Sequence, residues 1–193
     1  TNAQKKAALT RAADFYFSRW RRNFDERGLP VYAALGDHDI GDNPWAGGSD
    51  PRATDFKRNN VDTFKDAFYR NVMAEAGLTN RPDGPAHGTA YATYLTPEVL
   101  LVTVDVFEKT DTDVITRLDP QQMTWLRHVL ARANRRGTDW IMVQGHVPVI
   151  TPVRHYGSSA MSYTGGTRSA FWKTLAANKV DVYLNGEVHD VSV

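Results

Sequence analysis

The sequence predicts a layered α/β fold. Two observations carry that expectation. Amphipathic helical stretches alternate with short apolar runs along the chain, and three of those runs end at a glycine followed by histidine or carboxylate. Val31–Leu35 leads into Gly36-Asp37-His38-Asp39, Trp140–Val143 leads through Gln144 into Gly145-His146, and Val180–Leu184 leads through Asn185 into Gly186-Glu187-Val188-His189. Ligands of open α/β sheets collect beyond the carboxyl ends of strands, so three such ends predict one site assembled from distant sequence. Asp, His and Glu are acid–base and metal-ligand types.

In order along the chain, residues 3–26 are expected to be helical, with Leu9, Ala13, Tyr16, Trp20 and Phe24 recurring at three- and four-residue spacing and Phe17 widening the stripe. Arg11, Arg21 and Arg22 fall largely off that stripe and read as a solvated face. Gly28 and Pro30 end the helix and launch the first strand, Val31–Leu35. A polar loop spans residues 41–55, and a second helix carries Val61, Phe64, Phe68, Val72 and Ala76 on one face, stopping at Gly77. Thr89–Leu95 and Val99–Val106 form a predicted hairpin, its second strand apolar enough to be buried on both faces. The next helix begins with Asp119 as N-cap, Pro120 in the first turn, Gln122 completing a capping box and Leu118 stapling onto Met123. A last helix near Arg168–Ala177 points Phe171, Trp172 and Leu175 inward.

The 193 residues fit one domain, the formal charge of +1 argues against nucleic acid as the main partner, and the lack of cysteine excludes disulfides and thiolate chemistry. No apolar run approaches the roughly 18 residues of a membrane span. The first residue is Thr1, which is compatible with an exported bacterial protein or with a fragment.

Each motif alone has a plain structural reading. Gly36–Asp39 suits a turn in which an aspartate caps local backbone, and one histidine at a strand end is commonly a satisfied surface group. Glu187 and His189, two apart in an extended segment, leave the chain on the same side. His87, His128 and Trp45 read as loop, helix-surface and packing residues respectively. Arg154 and His155, between the second and third motifs, could grip a phosphate or belong to an ordinary loop.

Taken together and in order, the three motifs resemble the calcineurin-like metallophosphoesterase superfamily, in its purple acid phosphatase and phosphodiesterase-like branch. Gly36-Asp37-His38-Asp39 is similar to that family's third block, Gly145-His146 to its fourth, and Gly186-Glu187-Val188-His189-Asp190 to its fifth. The stretches Pro120–Trp125 and Trp140–Pro148 strengthen the likeness. The first two blocks, Asp-x-His and Gly-Asp-x-x-Asp, have no counterpart here. The resemblance implies an α/β/β/α sandwich of two packed mixed sheets, with its first strands outside this chain. It implies a single domain over 1–193, truncated at its start and shortly after the last motif, which would hold metal poorly without the missing N-terminal segment. It further implies a phosphomonoesterase or phosphodiesterase using a water activated by two divalent ions, Mn, Fe or Zn, on a small phosphoester substrate. Asp37, His146 and Glu187 would hold one ion and His189 the other, while His38 faces the phosphate and Asp39 orients its ring. Arg154 and His155 would contact substrate. Asp37 and Glu187 stand where the family has neutral ligands, which adds negative charge and keeps a second reading open: a catalytically degenerate member acting as a binding or scaffold module.

Overall fold

A computed structural model describes residues 1–42, 44–45, 51–74, 77–151 and 159–187, with only the backbone at 51–54. Helices α1 (Asn2–Asp25), α2 (Pro51–Asn59) and α3 (Val61–Phe68) precede strands β1 (Tyr91–Thr96), β2 (Val99–Thr103), β3 (Phe107–Lys109) and β4 (Val114–Thr116). Helix α4 (Pro120–Arg136), strand β5 (Trp140–Gln144), helices α5 (Ala160–Thr164) and α6 (Ala170–Ala177) and strand β6 (Val182–Leu184) complete the order. The class is α/β with two sheets, as the sequence predicts. The main sheet runs β1-β2-β5-β6, antiparallel at β1–β2 and parallel elsewhere, and the second is the antiparallel β3–β4 pair. Among the described residues no helix is long and apolar enough to cross a membrane.

Strand β2 is buried from Leu100 to Thr103, as expected of a strand covered on both faces, whereas β5 alternates and sends Ile141 and Val143 inward. These strands share one apolar cluster with Leu126 and Leu130 of α4 and Phe171 and Leu175 of α6.

Val31–Leu35 departs from expectation: it joins no described ladder. Side chains take up its backbone instead. The Gln144 amide donates to the Tyr32 carbonyl at 2.8 Å, and the Tyr91 hydroxyl donates to the Ala33 carbonyl at 3.1 Å.

Helix α1 turns its inner face slightly from the predicted stripe. Ala13 and Phe17 are buried and Phe17 meets Phe68 edge-on at 5.4 Å, while Tyr16 is exposed. Arg21 is not wholly on a solvated face; it donates to the Val72 carbonyl at 3.0 Å. The need arises because α3 widens into a π-turn over Tyr69–Met73, and carbonyls at a helix end lack intrahelical donors. Arg81 likewise serves Met73 at 3.2 Å. Gly77, at φ 63°, suits the predicted stop, and Ala76 lies outside the described residues.

Asp119 caps α4 as predicted, accepting from the amides of Gln121 and Gln122 at 2.9 and 3.0 Å. Gln122 does not close a capping box. Its side-chain amide brackets the Asp105 backbone, accepting from the N–H and donating to the carbonyl, both at 2.8 Å. The reason is the buried charge beside it. The Asp105 carboxylate receives Lys65 Nζ at 2.6 Å, the Thr89 hydroxyl and the Phe107 amide, and Lys65 also donates to the Phe107 carbonyl at 2.6 Å. With both side chains almost fully enclosed, this pair resists removal of one partner much more than replacement of both. Lys65→Met is therefore expected to lower stability by about 3–5 kcal/mol in urea unfolding. A loss below about 1 kcal/mol, the scale of an exposed pair, would show that the network does not anchor the fold.

Candidate metal centre

The parallel register of β5 and β6 pairs Gln144 with Leu184, so both strands end at the same level. Two further hydrogen bonds carry the pairing past those ends, Gly145 N–H to the Leu184 carbonyl and Gly186 N–H to the His146 carbonyl, each 3.0 Å. His146 and Glu187 thereby emerge side by side. Asp37 arrives from the other direction, at the start of a short 3₁₀ turn over His38–Ile40.

Asp37, His146 and Glu187 converge, with one ligand atom from each lying within 4.8 Å of the others. Asp37 Oδ1 is 2.9 Å from His146 Nε2, which is 3.5 Å from Glu187 Oε2. Despite that proximity, neither Asp37 Oδ1 nor His146 Nε2 has a partner in hydrogen-bonding geometry. Buried polar atoms are rarely left so, and unsatisfied donors and acceptors gathered within ligand reach suit a cation. Two carboxylates and an imidazole also suit Mn, Fe or Zn, so the donor set fits a divalent ion.

The glycines of the motifs explain how the imidazole is held. A Cβ on Gly36 would come within 3.2 Å of the His146 ring, and one on Gly186 within 3.0 Å. Bare backbone on both sides spares the ring contacts that are a few tenths of an ångström tighter than a Cβ ordinarily makes. Phe107 flanks it at 6.0 Å between ring centroids. Glu187 adopts φ 66°, a left-handed backbone that is uncommon for a long side chain and is found where surrounding structure enforces it.

Burial disfavours charge at Asp37, Asp39 and His146, but the neighbours outweigh it at two. His146 is raised above its ordinary pKa, against burial, by Asp37, Glu187 and Asp39. Asp37 is lowered, again against burial, by His146 and His38. At Asp39 burial prevails and its pKa is raised, although the Gly36 amide counters it. The carboxylates thus favour a positive charge at this position, and a metal held there would displace a proton from the imidazole.

His38 and Asp39 lie beside this cluster but not on each other. His38 is exposed, and its Nδ1 is 3.0 Å from Asp42 Oδ1. Asp39 turns inward and accepts from the Gly36 amide at 2.9 Å. The structure therefore gives His38 a different carboxylate from the one the motif suggests. Asp42 is carried there by two successive left-handed residues, Gly41 at φ 109° and Asp42 at φ 60°, and its amide returns to the Asp37 carbonyl at 3.1 Å. The signal available in the sequence was the four-residue spacing from His38. Tyr163 was also missed; it feels the charge of Glu187, and burial chiefly raises its pKa. His189, Arg154 and His155 lie outside the described residues. His87 and His128 are exposed, His87 with Nδ1 3.0 Å from the Pro82 carbonyl, and Trp45 packs on Phe107.

Comparison with known proteins adds two findings. The family model for calcineurin-like phosphoesterases matches residues 10–191. An acid phosphatase from Aspergillus ficuum is 36% identical over 69 residues, which is 36% of this chain and 10% of that protein.

Gly186→Ala is expected to force the His146 ring from its seat, costing about 1–3 kcal/mol of stability as overpacking does. It should weaken Mn²⁺ binding in calorimetric titration more than a Gly137→Ala control, which strains a left-handed backbone at φ 75° but whose Cβ meets nothing within 4 Å. Equal Mn²⁺ affinities in the two variants would remove His146 from the metal set.

Proposed function

The chain belongs to the calcineurin-like phosphoesterase family, and from that membership we propose that it is a metal-dependent phosphoester hydrolase acting on phosphomonoesters or phosphodiesters through a pair of divalent ions. The observation that carries the reading is the convergence of Asp37, His146 and Glu187 with two of their buried ligand atoms unsatisfied. We assign these three residues to one ion and His189 to the other. Bound there, divalent cations supply Lewis acidity at phosphoryl oxygens and make a water acidic enough to attack phosphorus near neutral pH.

The remaining steps fall to the chain's own groups. With Nδ1 of His38 held by Asp42, Nε2 is the nitrogen that gives a proton to the leaving oxygen. Lys57 reaches the same corner, donating to the Asp42 carbonyl at 2.7 Å, with its Nζ 3.7 Å from Oδ2. Asp39 serves His38 indirectly, by fixing the Gly36 turn. Arg154 and His155 are assigned to substrate contact. Similarity to an acid phosphatase supports a phosphomonoester as the simpler substrate.

A second reading, a hydrolytically inactive member that binds a ligand or scaffolds a partner, draws support from the same cluster. Asp37 and Glu187 lie 2.9 and 3.5 Å from His146 and favour a positive charge there, so the cluster also suits a ligand-binding role. Metal titration with turnover separates the two. With Mn²⁺, Fe²⁺ or Zn²⁺, para-nitrophenyl phosphate or its bis-aryl diester should be hydrolysed. His38→Ala should lower kcat about 10²-fold with little change in KM, the scale of a lost general acid. Asp42→Ala should act on kcat in the same direction but more weakly, and His146→Ala should abolish metal dependence. Absence of turnover with every metal and both esters would favour the binding module.

A further inference from the structure

A cavity of about 750 Å³ lies between β4 and the turn from α5 to α6. The elements around it are short. Strands β3 and β4 have three residues each and form a two-stranded sheet, while α5 has five residues. The lining changes character with depth. Val114, Leu118, Met123, Met161 and Phe171 are apolar and each less than a tenth exposed. Thr164, Arg168 and Ala170 also line the cavity and are exposed, so it opens to solvent on that side. Charge is just as uneven. Arg117 is already paired, donating through Nε and Nη2 to the Glu108 carboxylate. Asp113 accepts from the Val114 amide at 2.7 Å. The Arg168 guanidinium makes no ion pair or hydrogen bond among the described residues. It stands at the positive end of α6, one residue before the Ser169 cap.

We propose that this cavity is a binding site separate from the metal cluster, for an amphipathic monocarboxylate. Its hydrocarbon part would lie on the apolar side chains and its carboxylate would pair with Arg168. The site needs no passage to the cluster and does not rest on the hydrolase reading. The volume is that of a small-molecule site, and such sites are mostly apolar with a few polar groups that fix orientation. A guanidinium matches a carboxylate in shape, through two parallel N–H···O bonds. One free cation suits one negative charge; a phosphomonoester dianion would leave half its charge uncompensated against apolar surface. A neutral hydrocarbon would gain nothing from Arg168, and a cationic amphiphile would be repelled by it. Thr164, exposed at the rim, sits where a larger side chain would narrow the entrance without entering the core.

The test is calorimetric titration of the full chain with decanoate, 1-decanol and decyltrimethylammonium, once in EDTA and once with Mn²⁺. Decanoate is expected to fill a single saturable site at least about tenfold more tightly than either of the others, the scale of a hydrogen-bonded charge. Its affinity should be the same in EDTA and in Mn²⁺. Arg168→Gln should reduce the advantage over decanol to under about threefold and leave decanol affinity unchanged. Thr164→Trp should weaken decanoate and decanol alike, by about fivefold or more. Arg22→Gln, on the exposed face of α1, should leave decanoate binding as it is. Four results would overturn the proposal: no saturable decanoate binding, equal affinities for the three amphiphiles, wild-type affinity in both cavity variants, or an equal loss in Arg22→Gln. Decanoate binding that requires Mn²⁺ would also overturn it, because the carboxylate would then sit at the metal cluster.

Discussion

The site depends on one steric constraint: backbone without side chains flanks the His146 ring at Gly36 and Gly186, where a Cβ would crowd it at 3.2 and 3.0 Å. That seat brings Nε2 against two carboxylates, Asp37 and Glu187, both nearly inaccessible to solvent. Enclosing two carboxylates together costs several kcal/mol unless a positive charge accompanies them. The protonated imidazole is one such charge and a divalent cation is another. A cation held there would compete with a proton for one position.

The constraint also explains what was readable in advance. Glycine before histidine or carboxylate, repeated at three chain turns, marks sharp turns toward one shared site, and the family resemblance groups Asp37, His146 and Glu187 within it. Strand ends were equally legible, because β5 and β6 are apolar runs cut off by those glycines. What escaped is whatever depends on partners far along the chain. Val31–Leu35 has strand composition, but its Tyr32 and Ala33 carbonyls are occupied by Gln144 and Tyr91, and composition cannot announce a side-chain competitor. Gln122 has the spacing of a capping box and the local rule selects it, yet the Asp105 backbone offers two hydrogen bonds in a dry setting and wins. Asp42 went unread because its contact with His38 requires left-handed backbone at a residue other than glycine.

Among the described residues, Phe107 ties the apolar side of the molecule to the polar centre. It stands between Trp45 and His146, so its position sets both the seat of the Trp45 ring and the backing of the imidazole. Its ring has little freedom because its backbone has none. The N–H is held by the Asp105 carboxylate at 2.9 Å and the carbonyl by Lys65 at 2.6 Å. Asp105 in turn is fixed from α4 by Gln122, itself tied at the helix N-terminus where Asp119 is the cap.

This chain of contacts assigns the buried ion pair a use beyond stability. An apolar pair of similar volume could fill the same space at equal or lower free energy, as buried ion pairs generally allow. It could not hold both the N–H and the carbonyl of Phe107 and so could not specify where that residue stands. Lys65 from α3, Asp105 after β2 and Gln122 from α4 together convert three packed elements into one coordinate for an aromatic ring. Directional hydrogen bonds do what dispersion cannot, because apolar contacts tolerate sliding and a bracketed backbone does not. His146 is thus positioned from two sides by different physics, steric crowding at the glycines and hydrogen-bond geometry behind Phe107.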